Sequence, residues 1–162
     1  VVLSPEEFKR AMAQFASGVT IVTAWDAERQ PAGLTASAFT SVSLAPPLVL
    51  VCVAHSAQSY PVLRDAPRFA VNVLAAGQEA LSNRFATSTG NRAEKFAGVA
   101  YRPGRLGLPV IDDAVAQIEC ATVHAYPGGD HTIFVGQVEA ASCRPDAEPL
   151  LYFRGRYGRV QT

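Results

Sequence analysis

Short runs of β-branched and aliphatic residues, separated by turns rich in Gly, Pro, Asp and Ser, dominate the hydrophobic pattern of this chain. Ser4-Pro5-Glu6-Glu7 places Ser at an N-cap, Pro at the first helical position and Glu at the third, a capping box with the favoured proline. Phe8, Met12 and Phe15 follow at helical spacing, which predicts an amphipathic helix ending near Ser17-Gly18. Residues 19–25, VTIVTAW, predict a strand, and 26–31 a polar turn. Residues 33–53 are small and hydroxylated in their first half and aliphatic in their second, with Pro46-Pro47 between. Proline interrupts a ladder, so one strand is expected on each side.

Beyond this stretch the pattern predicts a polar loop at 56–60, short helix at 61–65, strand at 68–74 and amphipathic helix at 78–86. A short helix at 93–97 and an irregular Gly- and Pro-rich connection at 100–113 come next. Residues 116–126 and 132–141 predict long strands flanking the hairpin Pro127-Gly128-Gly129-Asp130-His131, and 150–153 and 156–160 a last pair turning at Arg154-Gly155. Many strands, few helices and short antiparallel connections predict a mainly β chain, a barrel with a few peripheral helices. Strands do not alternate with long helices, which argues against a parallel doubly wound sheet.

The 162 residues, 49% hydrophobic and 17% charged, suit a single domain spanning 1–162. Fourteen basic and fourteen acidic residues cancel, so no charge field argues for nucleic acid or an anionic membrane. The apolar run at 48–54 is far too short to span a bilayer. No signal-peptide pattern is visible, and Cys52, Cys120 and Cys143 are odd in number and widely spaced. They read as small buried hydrophobes, and the expected location is the cytoplasm. No dinucleotide fingerprint, P-loop, zinc spacing or nucleophile elbow is present, so a cofactor would be held by other means.

What the central stretch offers instead is lack of bulk. Thr35-Ala36-Ser37-Ala38 leaves backbone accessible to something flat. The loop Ala54-His55-Ser56-Ala57-Gln58-Ser59 precedes a short helix whose free N–H groups suit an anion, with Ser56 and Ser59 adding hydroxyls. A Ser/Thr-rich edge strand and a serine-capped helix account for the same residues without a ligand.

Residues 16–23 (ASGVTIVT), 33–43 (GLTASAFTSVS), Pro46-Pro47-Leu48, 69–74 (FAVNVL), Arg84-Phe85, Gly129-Asp130-His131 and 151–157 (LYFRGRY) together resemble the flavin reductase-like family, in the family's order over nearly the whole chain. The resemblance implies a homodimeric split β-barrel that uses NADH or NADPH to reduce FAD or FMN. The reduced flavin would then pass to a flavin-dependent oxygenase. It also implies a binding set of Thr35, Ala36, Ser37, Ala38, Phe39, Ser41, Val42, Val53, Ala54, Ser56, Ser59, Phe85 and either Arg84 or Lys95 for the flavin. His131, with Tyr152, Arg154 and Tyr157 close by, falls to the nicotinamide side. Where the family often carries Asn and a basic residue, this chain has Ala54 and His55, which leaves the phosphate's cation open between Arg84 and Lys95. Hydride transfer needs ring stacking and exclusion of water rather than a proton donor, so no catalytic side chain and no metal ligand is assigned. Two other readings share the fold: an electron carrier holding FMN permanently, and a reductase of a corrin. A purely structural domain is a third.

Overall fold

The computed structural model describes residues 2–88 and 90–161. Among these residues are twelve strands and three α-helices, beginning with α1 (Pro5–Met12), β1 (Ser17–Gly18), β2 (Thr20–Trp25), β3 (Pro31–Ala36), β4 (Phe39–Leu44), β5 (Pro47–Ala54), α2 (Tyr60–Asp65), β6 (Arg68–Val73) and α3 (Glu79–Ala86). A 3₁₀ turn (Arg92–Phe96) leads to β7 (Tyr101–Pro103), β8 (Pro109–Ile111), β9 (Ala116–Gly128), β10 (His131–Cys143), β11 (Leu151–Phe153) and β12 (Arg156–Gly158). The chain is mainly β, with helices at the periphery, as its pattern predicts.

Seven strands form one antiparallel sheet in the order β3-β2-β6-β9-β10-β5-β4. Although β3 and β4 are consecutive in the chain, they occupy its opposite edges. Leu34 and Ala36 of β3 nevertheless share a buried cluster with Val49, Val51 and Val53 of β5, so the sheet must roll until its ends meet over one core. Ser37 and Ala38 carry the chain across that seam, where the Ala38 carbonyl accepts from the Cys52 N–H. The ladder itself does not continue between β3 and β4, and the barrel is split there.

Strand β2 is buried on both faces. Val22 and Ala24 point into the barrel, while Ile21 packs outward with Leu74, Phe85, Phe96 and Leu150 beneath α3 and the 3₁₀ turn. Gly33 lies against the Phe85 and Phe96 rings, where an added Cβ would come within 3.1 Å of Phe85.

Four details depart from expectation. The first helix ends at Met12, and Ser17-Gly18 is a strand paired to Leu151 and Tyr152. Its capping box is present, but α1 buries no residue, and Phe8, Met12 and Phe15 are exposed. The 33–53 stretch contains a break at Ser37-Ala38 as well as the turn at Ala45-Pro46, which has a cis peptide bond, so three strands stand where two were expected. The irregular 100–113 connection holds the β7–β8 hairpin, anchored by buried side chains from elsewhere. The Thr23 hydroxyl donates to the Pro109 carbonyl at 2.5 Å, and the Asn72 side-chain oxygen accepts from the Ile111 N–H at 2.8 Å. The Glu119 carboxylate accepts the Arg105 and Leu106 N–H groups. Of the cysteines, Cys120 alone is buried, its thiol pushed up to about 12 by burial, whereas Cys143 is exposed and Cys52 is half-buried.

Candidate functional site

A cavity of about 310 Å³ opens at the barrel seam. The small residues that cross between sheet edges form one wall, Thr35, Ala36, Ser37 and Ala38. The end of β5 and the following loop supply Cys52, Ala54, Ser56 and Ser59, and the end of α3 supplies Phe85. Lys95 stands on the 3₁₀ turn and His131 at the start of β10. Ten of the residues anticipated from sequence therefore come together, from segments as distant as Thr35 and His131.

Their side chains have different duties. Ala36 is 7% exposed and belongs to the barrel core, so it contributes to the floor of the cavity, while Ser37 and Ala38 are exposed. Thr35 donates to the Ser82 carbonyl at 2.6 Å, and Ser59 to the Gly33 carbonyl at 2.8 Å. Both hydroxyls are thereby spent on holding β3 against its neighbours. Ser59 adds shape rather than the free donor expected of it, and Ser56 retains an exposed hydroxyl.

Of the two cations considered for a phosphate, Lys95 lines the cavity and Arg84 does not. Lys95 is only 6% exposed. Its ammonium donates to the Thr87 carbonyl, and burial lowers its pKa. A buried ammonium met by a neutral carbonyl is poorly compensated, and an anion in the cavity would supply the missing charge. Arg84 sits in the last turn of α3 with its side chain exposed, on the face turned away from Phe85, because residues adjacent in a helix point about 100° apart.

At the opposite end, β9 and β10 are joined by the two-residue turn Gly129-Asp130, with Gly129 at φ +70°. A glycine in the left-handed region at this position suits a tight hairpin. His131 Nδ1 and Asp130 Oδ1 are 2.7 Å apart, and this hydrogen bond holds the exposed Asp130 carboxyl below its usual range. The pairing directs the other ring nitrogen of His131 away from Asp130.

A second cavity of about 330 Å³ lies alongside and shares Thr35, Ser37 and Ala86 with the first. Tyr152 and Tyr157 line it, their ring centroids 5.5 Å apart. The Tyr157 hydroxyl lies 2.7 Å from both Ser82 Oγ and Asn83 Oδ1. Arg154 is outside both cavities, in the β11–β12 turn at φ +51°, bonded to the Gln14 side chain.

Four further expected residues lie elsewhere. Val53 is fully buried in the barrel, because alternation along β5 sends 49, 51 and 53 inward and leaves 52 and 54 for the cavity. Phe39 packs against the core, and Ser41 and Val42 are exposed on the edge strand β4. Sequence reasoning had not singled out Leu34, Cys52, Ala86, Thr87 or Ser88 as lining residues. The period of two along β5 could have found Cys52, since it shares the face of Ala54. No local signal marks residues 86–88, which reach the cavity only through the docking of α3.

Residues 12–161 match the model of the flavin reductase-like domain. A probable flavin reductase of Rhizobium meliloti is 44% identical over 156 residues, 96% of this chain but 49% of that protein, so the chain spans about half the length of that relative. An NADH-dependent FAD reductase of Streptomyces globisporus is 44% identical over 94% of this chain and 84% of its own length. The solved structure of an NADH:FAD oxidoreductase from that organism, in complex with NAD and FAD fragments, superposes with a TM-score of 0.90 at 41% identity over 99% of this chain and 97% of that one. The split barrel, the small-residue seam and a match running almost end to end agree with one another, and the chain belongs to the flavin reductase-like family.

Proposed function

We propose that this protein is an NADH-dependent flavin reductase that takes FAD or FMN at the barrel seam and releases it reduced to a flavin-dependent oxygenase. The observation that carries the reading is a cavity walled by Thr35 to Ala38, with one buried, poorly compensated cation, Lys95, at its margin. The residues suit the group: small side chains for a planar ring, and an ammonium for its phosphate. NADH as donor is supported by the Streptomyces relative named an NADH-dependent FAD reductase. Delivery to an oxygenase is supported by a Thermus thermophilus relative, 44% identical over 96% of both chains, named the reductase component of 4-hydroxyphenylacetate 3-monooxygenase.

The bound flavin supplies the hydride acceptor; the protein supplies position. Thr35 and Ser59 lock the seam through the Ser82 and Gly33 carbonyls, fixing the wall against which a ring would lie. Lys95 holds the anionic end, and Ser56 offers a hydroxyl beside it. His131, fixed by Asp130, binds and orients the nicotinamide nucleotide, with Tyr152 and Tyr157 forming an adjoining aromatic wall. Orientation of this kind accounts for most of what a hydride transfer asks of a protein.

The active unit is a homodimer in this reading. Phe8, Met12 and Phe15, an unpartnered apolar stripe beside α1, and Leu44 on edge strand β4, 91% exposed, are surfaces that a second copy would cover. A steady-state assay crossing FAD and FMN with NADH and NADPH tests the function. Turnover with NADH and free flavin is expected, and no oxidation of either nicotinamide with either flavin would refute it.

A further inference from the structure

We propose that His55 is a positioning residue for His131, a role that for catalysis rests on the reading of His131 as the nicotinamide contact. His55 grips the chain on both sides of His131. Its backbone N–H donates to the Asp130 carbonyl at 2.9 Å, and its ring Nε2 lies 3.0 Å from Thr132 Oγ1. Thr132 is 8% exposed and also lies 3.0 Å from the Tyr60 hydroxyl. The His55 and Tyr60 rings are tilted against each other, centroids 4.9 Å apart at 53°.

The geometry follows from strand alternation. His131 pairs with Ala54 across the β5–β10 ladder, and both point to the cavity. Thr132, the next residue on β10, projects to the opposite side with its partner Val53, and His55, the first residue beyond β5, meets the Thr132 side chain there. His55 therefore fixes the backbone and side chain flanking His131 without entering the cavity. Asp130 fixes the His131 ring from the hairpin turn. A two-residue turn at a strand end is otherwise free to fray, and a side chain pinned from both neighbours loses much of that freedom. The competing role is a plug that merely closes this end of the barrel core.

Three readouts on purified protein separate these possibilities: NADH kinetics at saturating flavin, flavin affinity by fluorescence titration, and the imidazole ¹H–¹⁵N signals of His131. His55→Ala should raise KM for NADH about three- to tenfold, the loss of an ordinary hydrogen bond, and leave flavin affinity within about twofold. It should also shift the His131 imidazole signals. His55→Gln, whose amide nitrogen reaches the place of Nε2, should restore both, whereas the shorter His55→Asn should not. Thr132→Val should reproduce His55→Ala. Combining His55→Ala with His131→Ala should add nothing to the KM of His131→Ala alone.

Unmoved His131 signals in His55→Ala, with or without a lower melting temperature, would overturn the proposal in favour of the plug. Additive effects on KM would overturn it as well, since His55 would then act through a contact of its own. If the signals move but His131→Ala leaves NADH kinetics unchanged, His55 positions His131 as proposed and the nicotinamide reading of His131 is what fails.

Discussion

Lys95 shows how a single residue can be costly to the fold and useful to the ligand. Burial disfavours its charge, so its folded pKa lies below the ordinary 10.5. Between that lowered value and 10.5 the unfolded chain binds more protons than the folded one, and stability rises with pH through the window. Bound phosphate would favour the protonated form, so flavin affinity should hold near neutral pH and fall as pH rises through the lowered pKa. Lys95→Met should weaken flavin binding roughly ten- to hundredfold, the scale of a charge-assisted hydrogen bond. It should also abolish this pH dependence and raise the melting temperature; titrations from neutral to alkaline pH, with thermal scans, check all three. For the opposite wall, Ser37→Leu is the clean probe. Ser37 is exposed to the cavity, whereas a leucine at Ala36 would overpack the core as well as the site. Flavin affinity should drop about tenfold or more in Ser37→Leu, with the melting temperature unchanged.

At the scale of elements, β9 and β10 organise both the core and the site. Their long ladder shifts register between Val135 and Gly136 and again between Val138 and Ala140. Gly136 sits at the first shift, where a Cβ would lie 2.6 Å from Phe69 Cζ and 2.7 Å from Cys120 Cβ. Gly136→Ala should therefore destabilise by about 1–3 kcal/mol, measured by denaturant unfolding, although glycine is ordinarily a poor strand residue. The α3 helix has the corresponding role outside the barrel, since Phe85 packs edge-on against Phe96 with centroids 4.9 Å apart. That contact brings the Lys95 turn beside the seam.

For the whole molecule, the apolar stripe on α1 decides the expected assembly. An eight-residue helix with no fully buried side chain gains little packing energy from its own chain, and Phe15, just beyond it, is 76% exposed. Helices this short are marginal without tertiary support, and a second copy would provide it. Light scattering should give twice the chain mass at micromolar concentration. Phe15→Glu combined with Met12→Lys should shift the protein toward monomer, and a dimer unaffected by the pair would place the interface elsewhere. Among the described residues, no helix is long and apolar enough to cross a membrane.

Local chemistry was legible in the sequence wherever the backbone decides for itself. The Ser4–Glu7 capping box, the Gly129 hairpin and the Arg154–Gly155 turn, with both residues at positive φ, follow from side chains acting on their immediate neighbours. Runs of β-branched and aliphatic residues marked β2, β5, β6, β9 and β10, and the small residues at 35–38 marked the wall of the cavity. Tertiary structure decided what depends on residues far apart in the chain. The β7–β8 hairpin has no periodic pattern of its own and is held by Thr23, Asn72 and Glu119. Lys95 rather than Arg84 reaches the cavity because Phe96 docks on Phe85, and Val53 is lost to the core through a parity fixed by barrel closure. A strand's two faces are distinguishable in sequence, but which face meets a ligand is settled only when the sheet rolls and its edges meet.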